Sequence, residues 1–243
     1  GGVRDDMSIG AGVTDKRRVL ATIAKQVASC KECSLCKTRT NSVPGEGAPD
    51  AEIMFIGEGP GFYEDQQGRP FVGASGKFLD DLLRTIDLDR KTVFIANVVK
   101  CRPPQNRDPQ PDEIAACGKY LDAQIAAIEP KVIVTLGRHS MQRYFPGEAI
   151  SRIHGQPRRK DDTIVVPMYH PAAALHQANL RKVIEADFSR LPEFLRKTLG
   201  GEQPAAATVP AHLRTGGAAS QSGPVDAPTA EPAQPEPQQM RLL

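Results

Sequence analysis

Ile53-Met54-Phe55-Ile56-Gly57-Glu58-Gly59-Pro60-Gly61 is an apolar run that breaks into three glycines within five residues. Four consecutive apolar side chains suit a strand buried on both faces, as in a parallel sheet. The glycines let the backbone turn sharply and approach a ligand closely. In open parallel sheets, ligands bind where strands end and such loops begin. The loop is neither of the common phosphate cradles. Its glycine spacing departs from the dinucleotide fingerprint, Pro60 lacks an N–H, and no Gly-Lys-Ser/Thr follows.

The same pattern repeats downstream. Val93–Ala96, Val132–Leu136 and Ile164–Met168 are short Val- or Ile-containing runs bounded by Gly, Asn or Pro. Helical periodicity fills Gly76–Ile86, Asp112–Ile128 and Arg138–Phe145, and a last helix is predicted over Leu180–Leu199. Upstream, a helix is predicted over Asp15–Ser29, with Val19, Leu20, Ile23 and Val27 on one face. Strand–helix alternation predicts an α/β fold with a central, mostly parallel four-stranded sheet and helices on both sides. Residues 1–14 read as a disordered leader and 15–199 as one domain. Residues 200–243 read as a disordered tail, because Pro, Ala, Gly, Gln and Ser dominate there and no aromatic occurs.

The 243 residues carry a net charge of +2, so charge alone names no partner, and a nucleic-acid binder would need its cations clustered. One cluster is the stretch holding Arg138, Arg143, Arg152, Arg158, Arg159 and Lys160. No apolar run approaches the ~20 residues of a membrane span. The first residues lack the apolar core of a signal peptide. A cytoplasmic protein without membrane attachment is expected. In that reducing setting five cysteines suggest a metal site or catalysis before disulfides. Cys30-x2-Cys33 and Cys101-x15-Cys117 form two pairs, and four thiolates satisfy either tetrahedral zinc or a four-iron cluster. Cys33-x2-Cys36 has the same spacing, so one of the three neighbouring cysteines is spare.

Five motifs then occur in order: C-x2-C-x-L-x3-R-T (Cys30–Thr40), G-E-G-P-G-x2-E-D (Gly57–Asp65), G-R-P-F-V-G (Gly68–Gly73), N-V-V-K-C-R-P-P-Q-N-R (Asn97–Arg107) and H-P-A-A-A-L (His170–Leu175). Together they resemble the family 4, thermostable-type uracil-DNA glycosylases over about residues 18–198. The resemblance implies a three-layer α/β/α sandwich and a [4Fe-4S] cluster on Cys30, Cys33, Cys101 and Cys117, with Cys36 set aside by motif phase. It implies a uracil pocket at Gly57, Glu58, Gly59, Glu64, Phe71, Asn97 and His170. Phe71 would stack on the base and Asn97 would read its polar edge. Glu64 would exclude the thymine methyl, and His170 would stabilise charge on uracil O2. Related glycosylases of family 1 place a water-positioning Asp where this chain has Gly59, which leaves Glu58 as the candidate catalytic carboxylate. No Lys-Arg-Arg-Ile-His insertion follows Lys100, so relatives that trap DNA covalently match less well. Arg102 and Arg107 would contact DNA phosphates, and Leu175 would fill the vacated stack.

The implied partner is uracil-containing DNA, single- or double-stranded, bound by a monomer. Gln239-Met240-Arg241-Leu242-Leu243 resembles the short peptides that bacterial sliding clamps bind. Two rival readings use fewer residues. A non-catalytic iron–sulfur DNA-binding or redox-sensing protein needs the cysteines but not Asn97, Phe71 or His170. A zinc-stapled α/β nucleotide hydrolase needs only the metal pairs and the glycine loop.

Overall fold

A computed structural model describes residues 6–199, the side chains of 6–11 and 199 excepted. The clamp-like segment Gln239–Leu243 and the remainder of the expected tail lie outside these residues. Six strands form one sheet: β1 (Glu46–Gly47), β2 (Ile53–Gly57), β3 (Phe94–Asn97), β4 (Val132–Leu136), β5 (Arg158–Lys160) and β6 (Thr163–Met168). Their spatial order is β1-β3-β2-β4-β6-β5. The inner four run parallel, as expected, and the two edges pair antiparallel. The expected four-stranded count is therefore corrected to six. Both additions are too short and too polar to show an apolar pattern; β1 is Glu-Gly and β5 is Arg-Arg-Lys.

The helices are α1 (Asp6–Ser29), α2 (Phe62–Gln67), α3 (Ala74–Arg84), α4 (Pro111–Ile128), α5 (Arg138–Gln142), α6 (Ile150–Ile153), α7 (Ala173–His176) and α8 (Ala178–Leu199). Alternate strand residues face opposite ways. Met54 and Ile56 pack with Ile23, Val27 and Leu121 of α1 and α4 on one side. Phe55 and Val134 pack with Leu79, Ile184 and Phe188 of α3 and α8 on the other. Both faces are covered, and the expected three-layer sandwich is the observed fold.

Three features depart from the sequence reading. Helix α1 starts at Asp6, not near Asp15, so the leader is not structureless from residue 6 onward. Propagating an existing helix costs far less than nucleating one, so the glycine-containing stretch before Asp15 extends the helix without a helical periodicity of its own. Val19 is 45% exposed and does not join the buried face. Helix α5 stops at Gln142, not Phe145; Pro146 disfavours helical backbone at the residue before it.

Candidate active site

The parallel strands end together, and their loops build one pocket. Gly57 and Asn97 are register partners at the ends of β2 and β3. His170 lies two residues beyond the end of β6. Glu58, Gly59, Glu64, Phe71, Asn97 and His170 all line the pocket, beside Asn106, Arg107 and Asp108. Gly57 sits directly behind it. A Cβ there would come 2.6 Å from the Phe71 ring and closer still to Asn97 Oδ1. Only glycine leaves room for both side chains.

Asn97 is 2% exposed. Its Oδ1 is one of three buried side-chain atoms without a hydrogen-bond partner among the described residues. An unsatisfied buried acceptor costs free energy unless a ligand supplies the donor. Behind Asn97, the fully buried Lys100 donates from Nζ to the Asn97 carbonyl (2.9 Å) and to Gln124 Oε1 (2.7 Å). Gln124 in turn donates to the Pro44 carbonyl at 2.7 Å. Asn97 therefore rests on a fixed base while its side-chain oxygen is left over.

Phe71 is buried, with a positive φ of 53° that few non-glycine residues adopt. Arg90 holds this loop by donating to the carbonyls of Pro70 and Phe71, while pairing with Asp80 and Glu46. The Phe71 and His170 rings are stacked with centroids 5.5 Å apart and planes 23° apart. That spacing leaves no room for a third ring between them. The His170 Nδ1 accepts the Ala172 N–H at 3.1 Å, so a neutral imidazole carries its proton on Nε2. Burial pulls the His170 pKa below its ordinary value, and the carboxylates of Glu58 and Glu64 push the other way.

The two pocket glutamates are held differently. Glu64 is buried, not an exposed loop acid. Its Oε2 accepts the Gly61 N–H at 3.1 Å, and its Oε1 accepts the N–H groups of Val72 (3.0 Å) and Gly73 (3.1 Å). One carboxylate thus ties the glycine loop to the Phe71 loop. Glu58 has a lighter anchor: Oε1 accepts the His139 N–H at 2.9 Å. Polar atoms of Glu58, Asp108 and His139 lie within 4.8 Å of one another. Gly137, at φ 102°, makes this approach possible, since a Cβ there would collide with Glu58.

The candidate phosphate contacts separate. Arg107 forms a bidentate pair with the buried Glu113 at 2.9 and 2.7 Å and pulls that carboxyl down to about 2. It props the loop and is not a free cation. Arg102 spends its Nε on Asn106 Oδ1 at 2.7 Å and lies outside the pocket lining. Leu175 is 41% exposed on α7. Within the basic stretch, Arg138, Arg143 and Arg158 pair with Asp108, Asp122 and Glu148, so half of that cluster is compensated. His139, Asp108 and Arg90 were not legible as site residues. Each acts through a partner at least 19 positions away, which no local pattern records.

The cysteines gather at a separate corner, around a small cavity. Cys101 and Cys117 belong to the core, and Cys30 and Cys33 pack against it; Cys36 lines the cavity but is not part of that packing. Arg39 donates from Nη1 to Cys101 Sγ at 3.0 Å and from Nη2 to the carbonyls of Ala28 and Cys30. The Lys100 N–H donates to Cys117 Sγ at 3.2 Å. Burial pushes the Cys117 thiol up to about 11. Five cysteines around one cavity, with N–H donors aimed at two of the sulfurs, supply the donor chemistry of a thiolate-bound metal group. Asp65 links the two sites by accepting the N–H groups of Thr40 and Asn41 at the end of the cysteine segment.

An α/β/α sandwich with a pocket at its strand ends and a cysteine corner beside it defines the class, and comparisons with known proteins agree. Residues 44–191 match the model of the uracil DNA glycosylase superfamily. The type-4 uracil-DNA glycosylase of Sulfurisphaera tokodaii is 54% identical over 184 residues, covering 72% of this chain and 84% of the relative. Those of Archaeoglobus fulgidus and Thermotoga maritima are 46% and 41% identical, over 94% and 97% of their lengths. The chain belongs to the type-4 family of the uracil-DNA glycosylase superfamily. A type-5 uracil-DNA glycosylase of Thermus thermophilus matches over only 115 residues at 36% identity.

Proposed function

We propose that this chain hydrolyses the N-glycosidic bond of uracil in DNA and so opens base excision repair. The observation that carries the reading is the buried, unpartnered Asn97 Oδ1 in a pocket floored by Phe71 and His170. Uracil offers an N3–H donor next to its O4 acceptor; cytosine reverses the two. An amide that presents Oδ1 to N3–H and Nδ2 to O4 pairs with the first and leaves the second unsatisfied. A non-catalytic iron–sulfur protein has no use for that atom.

The target nucleotide must leave the stack to reach the pocket. Phe71 would stack on the base, and His170, which lines the same pocket, would reach the base edge. With Nδ1 occupied by Ala172, Nε2–H is the donor for O2, where negative charge grows as the bond breaks. The rigid Glu64 carboxylate fits the steric role against the thymine methyl. No side chain stands at Gly59, so Glu58, with its second oxygen not engaged by His139, is the carboxylate for orienting water or stabilising the cationic sugar. Arg102 remains for phosphate, and exposed Leu175 for filling the vacated stack.

Cys30, Cys33, Cys101 and Cys117 would hold a [4Fe-4S] cluster that serves as a structural staple. It would fix the start of the segment that begins at Cys101 and carries Arg102 and Arg107. A monomer acting on single- or double-stranded uracil DNA suffices for this chemistry. No helix among the described residues is long and apolar enough to cross a membrane. The segment Gln239–Leu243 would dock to a sliding clamp; its deletion should abolish clamp binding and leave glycosylase activity intact.

The direct test is incubation with uracil-containing oligonucleotides followed by alkali. Strand scission at uracil is expected, and none at thymine or cytosine; failure on U·G, U·A and single-stranded uracil alike overturns the reading. Glu58→Gln should lower kcat by about 10² while uracil-DNA binding persists. Unchanged turnover would remove Glu58 from the mechanism.

A further inference from the structure

Phe62 and Tyr63 open α2, immediately after the glycine loop that lines the pocket. They are 49% and 53% exposed, and they are the only strongly exposed aromatic residues among the described ones. Every other large exposed apolar side chain there is aliphatic: Val19 and Leu175. Two adjacent aromatic rings facing water lose the burial that normally stabilises such side chains. Their placement is fixed, because the Glu64 carboxylate that holds the Gly61 N–H also closes the first turn of α2. The rings meet edge to face, with centroids 5.4 Å apart and planes 80° apart. The Arg102 guanidinium lies 5.1 Å above the Phe62 ring. Tyr63 lies beside the Gly73 turn that follows Phe71.

We propose that Phe62, Tyr63 and Arg102 form a stacking platform for the base next to the uracil on the same strand. The proposal rests on the pocket being the uracil site and extends it to the neighbouring nucleotide. When uracil rotates into the pocket, its neighbour loses a stacking partner at the pocket rim. Phe62 and Tyr63 lie in the chain between the pocket-lining Gly61 and Glu64 and offer π-faces that accept any base. Arg102 has no acidic partner among the described residues, and its free N–H groups suit the phosphate between the two nucleotides. An aromatic face with a cation over it is the chemistry of single-strand recognition, and it gives contact without sequence preference.

The test uses the full chain and single-stranded oligonucleotides with one uracil. The neighbouring base is present, or replaced by an abasic spacer, on the 5′ or the 3′ side. Removing the base on one side should raise the wild-type KM about tenfold. Phe62→Ala/Tyr63→Ala should raise KM on the intact strand by a similar factor, lose all sensitivity to the spacer, and change kcat far less. Tyr63→Phe should restore most of the affinity. Both rings are exposed, so folding is not at issue. The chain has no Trp, so Phe62→Trp introduces a single indole fluorophore. Its emission should be quenched by a uracil-free single strand and not by an abasic backbone. An alanine pair with wild-type KM, retained sensitivity to the spacer, or indole emission that the uracil-free strand leaves unquenched in Phe62→Trp would each overturn the platform. A wild type that releases no uracil from any strand would instead refute the pocket reading.

Discussion

The pocket and the cysteine corner lie at the two ends of one short segment, Asn97 to Cys101, and they solve opposite problems. At the pocket end polar groups are held rigid and left incomplete. Among the described residues Asn97 Oδ1 has no partner, and Glu58 uses one oxygen on the His139 N–H. At the cysteine end Arg39 and a backbone N–H already donate to two of the sulfurs. The first arrangement discriminates a ligand that comes and goes, because an unsatisfied buried acceptor rewards only the right donor. The second suits a group that stays, because burial disfavours bare thiolates until a metal compensates them. Lys100 joins the two, with its N–H on Cys117 and its Nζ on the Asn97 carbonyl.

The contrast breaks most sharply at Asn97. Asn97→Ala should cut kcat/KM for uracil excision by about 10³-fold or more, since the pocket loses the pair that recognises N3–H and O4. Circular dichroism and melting temperature should stay near wild type. Normal excision by this variant would mean that the orphan oxygen does not read the base.

His170 gives the next largest effect, visible as a pH profile. Its folded pKa lies below the unfolded value of ~6.5, so the neutral donor persists through neutral pH and is lost as pH falls below that range. Protonation must also displace the Ala172 N–H from Nδ1. The acid limb of kcat should therefore fall below the ordinary histidine value and disappear in His170→Ala, whose kcat is reduced by about 10². By the same sign, this group withdraws stability as pH drops through that window. An acid limb above the ordinary value would place the proton on a different group.

The cysteine corner should respond more mildly in chemistry and more strongly in structure. Cys30→Ser should remove visible absorbance and bound iron, lower the melting temperature, and reduce excision about tenfold by loosening the loop that starts at Cys101. Cys36→Ser should retain iron and stay within about twofold of wild type. Equal iron loss in both variants would place Cys36 among the ligands and blur the separation.

Parts of both regions were legible because their signals are local. Apolar runs gave β2, β3, β4 and β6; glycine spacing marked the 57–61 loop; and cysteine spacing with motif order marked the corner. Glu64 and Arg107 were found as residues but not as partners. Three backbone N–H groups occupy Glu64, and buried Glu113 occupies Arg107. The edge strands β1 and β5 left no trace, because an edge needs no apolar alternation when its neighbour supplies the ladder.

The sequence by itself determined the sandwich, the pocket's residue types and the family. It did so because burial on both faces and close backbone approach restrict which side chains can stand at neighbouring positions. Tertiary structure alone decided which polar atoms are satisfied. Arg90 on the Phe71 carbonyl, His139 behind Glu58 and the Phe62–Arg102 contact join segments 19 to 81 residues apart. Such pairings depend on where loops meet after the sheet has formed, and no periodicity along the chain encodes them.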